Sequence, residues 1–124
     1  MTSPKTLAIV LGLARGAFGA GLFAAPSKVA SGWLEKDAAR PRAQVAIRGL
    51  GARDIAISAG TVAAALDGAP LRPWLLASVG SDMGDIAATF AAGKSLGDRA
   101  RFGTLALAGL SIAAGAGLAL TADR

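Results

Sequence analysis

The sequence predicts an all-α integral membrane protein, a four-helix bundle of antiparallel up-down topology with short loops. Three observations predict it. Four apolar blocks of about twenty residues divide the chain, and about 20 residues of α-helix cross the ~30 Å hydrocarbon layer. All five prolines lie outside those blocks or at their edges, where a residue that breaks helix interiors is tolerated. Lysine and arginine collect in two of the connections, the pattern of membrane-flanking charge.

The 124 residues are 53% hydrophobic and 17% charged, with mean hydropathy +0.52. Soluble domains carry about 25% charge, so the deficit supports the membrane assignment. A single domain over 1–124 is expected, with helices at about 6–25, 45–66, 73–92 and 102–120. The first block could be mistaken for a signal peptide, since it has a basic start and ends at Ala24-Ala25-Pro26. Arg15 in its centre argues against cleavage, because signal cores are uncharged.

The connections set orientation. Segments 26–44 and 93–101 carry Lys28, Lys36, Arg40, Arg42, Lys94, Arg99 and Arg101, against Lys5, Arg72 and Arg124 on the other side. Basic residues in short loops favour the cytoplasm. The expectation is therefore a multi-pass protein of the inner (plasma) membrane, with both termini outside and loops 26–44 and 93–101 cytoplasmic. Trp33 and Trp74 fall just beyond apolar blocks, where aromatic rings anchor at headgroup level. Segment 29–36 reads as a short amphipathic turn along the headgroups, with Arg40 and Arg42 near anionic lipid.

Six ionisable residues interrupt the apolar blocks: Arg15 in the first, Arg48, Arg53 and Asp54 in the second, Asp82 and Asp85 in the third. A charge exposed at the bilayer centre costs at least ~2.5–3.5 kcal/mol, so such residues face the bundle interior and pair. At ~1.5 Å per residue, Arg15, Arg53, Asp54, Asp82 and Asp85 lie within about one helical turn of a common level. Arg48 lies nearer the cytoplasmic surface, where it can snorkel. Three Arg against three Asp would make the cluster neutral, as a low-dielectric interior demands. Asp54, Ser58 and Thr61 share one helix face, as do Ser78, Asp82, Asp85 and Thr89, forming polar stripes. Gly12, Gly16 and Gly19 offer a small-residue surface for close helix approach, and Gly109, Gly115 and Gly117 do the same in the fourth block.

Several chemistries are excluded or unexpected. The chain has no Cys and no His, which removes disulfides, thiol nucleophiles, His-based triads and haem ligation by either residue. Gly49-Leu50-Gly51-Ala52-Arg53-Asp54 lacks the preceding strand and third glycine of a dinucleotide loop. Asp82 and Asp85 could hold a divalent cation with Asp54, but the neighbouring arginines oppose it, so no metal and no cofactor is expected. Net charge +5 and pI 10.8 come without a basic run interleaved with aromatics, so no nucleic-acid partner is expected. The expected partners are the lipid bilayer and a homo-oligomer or larger membrane complex, with any small ligand left open. Two readings of the charged cluster compete. It is either interhelical glue in a non-enzymatic structural or accessory protein, or the lining of a ligand site or ion path. The balance of signs favours the first.

The stretch Arg48-Gly49-Leu50-Gly51-Ala52-Arg53-Asp54-Ile55-Ala56-Ile57-Ser58-Ala59-Gly60, with Gly84-Asp85 and the opening 11–27, resembles a family of small bacterial four-helix membrane proteins classed as a domain of unknown function. Its pattern is G-x-R-D in helix two and an acidic residue in helix three. There is a looser likeness to DoxX-like membrane proteins. The resemblance implies a four-helix membrane fold and brings no activity, cofactor or catalytic residue. The absence of Cys departs from any thiol redox role suggested by DoxX-like proteins.

Overall fold

Prolines set three of the helix starts. Pro4, Pro26 and Pro41 each occupy the first position of a helix, where the missing N–H has no intrahelical partner to lose. The computed structural model describes residues 3–123, and five α-helices make up most of it: α1 (Pro4–Ala24), α2 (Pro26–Leu34), α3 (Pro41–Asp67), α4 (Arg72–Ala92) and α5 (Asp98–Thr121). A 3₁₀ turn, Glu35–Ala39, joins α2 to α3, and a shorter one, Gly93–Ser95, follows α4. Gly68 closes α3 at φ 69°, a left-handed conformation that costs glycine little.

The expected four-helix membrane bundle is corrected. Among the described residues there are five helices, and two of them, α1 and α5, are long and apolar enough to cross a membrane. Arg53 and Asp54 in α3, and Asp82 and Asp85 in α4, hold down the hydropathy of the other two long helices. The fifth helix is α2, in the segment read as an amphipathic turn and loop. It buries Pro26 and Ala30 and joins Leu22, Ala38 and Ile47 in an apolar cluster flanked by Trp33 and Leu34. Arg124, counted above in setting orientation, lies outside the described residues.

Helix α1 runs along α3, and α4 along α5. The first contact is backbone on backbone. A Cβ added to Gly51 would stand 2.5 Å from the Gly19 carbonyl oxygen, and one added to Gly19 would stand 2.7 Å from that of Gly51. Gly16 faces Ser58, and Gly12 faces Thr61 and Val62. Across the second pair, Gly115 admits Val79. One apolar cluster (Ala8, Ala64, Ala65, Leu71, Leu75, Leu118, Ala119) closes the end that holds the start of α1 and the finish of α5. The cluster around Ile47 closes the other end. Polar side chains fill the middle.

Large apolar side chains lie on the outside of the helices and several polar ones lie inside. Leu13, Phe18, Met83, Phe90, Leu107 and Leu110 are all exposed, while Asp54, Ser58, Thr61, Asp82 and Thr89 are buried. In the apolar windows of α1 and α5 only 22% of residues are buried, whereas the core helix of a soluble protein is mostly buried.

Candidate functional site

The polar middle is organised by one guanidinium. Arg15, near the centre of α1, directs Nη1 to Asp54 Oδ1 on α3 at 3.0 Å. Its Nη2 faces both carboxylate oxygens of Asp82 on α4, at 2.8 and 2.7 Å, and the Ser111 hydroxyl on α5 at 3.0 Å. Four helices therefore meet at a single side chain that is 13% exposed, and both carboxylates are 6% exposed.

A second arginine extends the chain of charges. Arg53 donates through Nη1 and Nη2 to the two oxygens of Asp85, each at 3.1 Å, the parallel fork in which guanidinium and carboxylate match best. Its Nη2 also reaches Asp54 Oδ1 at 3.2 Å. The order is Asp82–Arg15–Asp54–Arg53–Asp85, with Asp54 shared. This second pair is the open end, Arg53 being 31% and Asp85 34% exposed.

Arg48 is not brought into the network. Its Nε donates to the Phe23 carbonyl at 3.1 Å, near the end of α1. Six residues from Asp54, it stands on a different face of α3 and well over a turn nearer the helix start. The network thus has two Arg and three Asp, a formal charge of −1 rather than the expected balance.

The stripe hydroxyls have separate tasks. Ser58 donates to the Gly12 carbonyl across the α1–α3 contact. Thr61 and Thr89 donate within their own helices, to Ile57 O at 2.7 Å and Asp85 O at 2.8 Å. Ser78 is half-buried on the Asp82 face, with no hydrogen bond among the described residues. Ser111 was not singled out from the sequence. The available signal was a hydroxyl near the middle of an otherwise apolar segment, level with the charges on the other helices.

Chemically the network is saturated at its buried end. Arginine offers donors only and does not release its proton, and each carboxylate is engaged by at least one guanidinium. Among the described residues no group of three or more His, Cys, Asp or Glu is arranged to hold a metal ion. Outside the helices, Asp123 accepts from the backbone N–H of Leu71 and of Arg72 at 2.8 and 2.9 Å, tying the chain end to the start of α4. Those two bonds hold its carboxyl below the usual range. Comparison with family models, with curated proteins and with solved structures gives no match.

Proposed function

We propose that this is a small, non-enzymatic membrane protein of structural or accessory type, whose Arg–Asp network clamps its helices together. The observation that carries the reading is Arg15 joined at once to Asp54, Asp82 and Ser111. An arginine in an apolar segment is tolerated when its donors are satisfied by protein rather than lipid. The apolar exterior of α1 and α5 supports these two helices as the spans, with α3 and α4 packed against them. The excess of Lys and Arg in 26–44 and 93–101 supports an inner-membrane orientation with those segments cytoplasmic and both ends of the chain outside. The likeness to G-x-R-D membrane proteins agrees with this setting and adds no activity. Self-association or a larger membrane complex is the natural context for an accessory protein of this size.

One observation favours a second reading, a carrier or binder of an ion or small ligand. The network holds one carboxylate more than its arginines balance, and its open end is Asp85. The experiment that separates the two is the double substitution Asp82→Asn and Asp85→Asn, reconstituted in liposomes. The clamp reading expects a lower yield of folded protein and no flux to lose. A normally folded variant that has lost a flux or a bound ligand seen in the parent overturns it in favour of the carrier.

A further inference from the structure

Among the described residues, the surplus of positive charge sits at one end. Around α2, the start of α3 and the α4–α5 connection lie Lys28, Lys36, Arg40, Arg42, Arg48, Lys94, Arg99 and Arg101, against Glu35, Asp37 and Asp98. Eight minus three leaves +5. At the opposite end Lys5 and Arg72 are matched by Asp67 and Asp123, and the network between carries −1. The surplus is also unspent. Arg40 pairs with Asp37 and Arg101 with Asp98, each three residues away. Lys28, Lys36, Arg42, Lys94 and Arg99 are exposed and have no carboxylate within 4.0 Å among the described residues. These five come from three separate parts of the chain, so the fold rather than a local run of sequence assembles them. Helix α2 is held in place by Ala30, whose side chain is buried beside Leu22, Ala38 and Ile47, while Lys28 stays outside.

We infer that this end is a binding surface for anionic phospholipid headgroups. The inference rests on the membrane reading above and makes it specific for lipid charge. Phosphate groups in a headgroup layer form a sheet of negative charge, and basic residues held at that level are attracted within a Debye length of about 10 Å. A flat sheet suits five cations spread over three segments better than a single anion would. Lysines and arginines without carboxylate partners lose no ion pair on engaging it.

The two tryptophans stand at opposite ends and report on each separately. Trp33 is in α2 beside the basic surface, and Trp74 opens α4 with its ring over Gly60. Trp74→Phe leaves Trp33 as the reporter, and Trp33→Phe leaves Trp74. Each variant is reconstituted in mixed phosphatidylcholine–phosphatidylglycerol vesicles in which one lipid or the other carries brominated acyl chains. The expected result is enrichment of phosphatidylglycerol around Trp33 by about fivefold, the Boltzmann factor of one basic residue at an anionic surface, and no enrichment around Trp74. Raising salt to about 1 M, where the Debye length is ~3 Å, should abolish it without altering the protein. Lys36→Gln, Arg42→Gln and Arg99→Gln together should do the same.

Equal quenching of Trp33 by the two brominated lipids, in protein that has incorporated, overturns the inference and leaves the membrane reading standing. Protein that fails to incorporate even into phosphatidylcholine vesicles, and stays dissolved without detergent, overturns both. Salt-sensitive binding of a short duplex DNA in detergent, with no lipid preference, reassigns the surface to nucleic acid and overturns it too.

Discussion

Replacing Arg15 with Met removes the donors of Asp82 and half the support of Asp54, and the structure sets the size of the loss. Asp54 retains Arg53 at 3.2 Å, but Asp82 has no other guanidinium among the described residues. The cost therefore concentrates on one carboxylate that is 6% exposed. Removing one partner of a buried ion pair costs about 3–5 kcal/mol. The expected loss is thus about 3–5 kcal/mol. Adding Asp82→Asn to the Arg15→Met variant should recover most of it, because the buried carboxylate left without a partner is then gone. The assay is unfolding by increasing SDS mole fraction in mixed micelles, followed by helical circular dichroism. A loss under about 1 kcal/mol, or one that Asp82→Asn does not relieve, refutes the assignment of Arg15 as the clamp.

Gly51→Ala should destabilise by about 1–3 kcal/mol, since its Cβ meets the Gly19 carbonyl and α1 must back away. Gly49→Ala on the same helix meets nothing within 4 Å and should be neutral or up to ~1 kcal/mol stabilising in the same SDS titration. Ser111→Ala should cost only ~1 kcal/mol, because Arg15 keeps both carboxylates. Asp123→Asn should lower the melting temperature at neutral pH. The carboxyl of Asp123 is held low in the folded state by two backbone N–H groups, so its contribution is present above the ordinary carboxylate range and lost as pH falls through the lowered folded value. Parent and variant melting curves should therefore converge in acid, and a constant gap would count against that cap.

The helical nature of the chain was legible in the sequence, because proline and glycine punctuate it and apolar blocks fill the spaces between; the number of helices and the number apolar enough to cross a membrane were not. Level was legible as well, since rise per residue is fixed: Arg15, Asp54 and Asp82 could be set at one depth without knowing their neighbours. Partner choice was not. Arg48 counts equally with Arg53 in a tally of charge, yet five residues of separation place them on different faces of α3, and one finds a carbonyl while the other finds two carboxylates. Ser111 was overlooked because hydroxyls are common and its importance comes from what approaches it. Helix α2 was hidden because nine residues are too few to show a convincing period, and its stability comes from packing against Leu22 and Ile47.

The touching backbones of Gly19 and Gly51 divide the molecule mechanically. With no side chains between them, α1 and α3 cannot slide past each other without carbonyls colliding, so they behave as one stiff beam. The beam of α1 and α3 meets the beam of α4 and α5 through an apolar layer at one end and, at mid-height, the guanidinium groups of Arg15 and Arg53, whose long stems can swivel. Any slow motion of this protein should therefore be a rocking of two beams about these two arginines, seen in hydrogen exchange as paired helices opening together rather than singly.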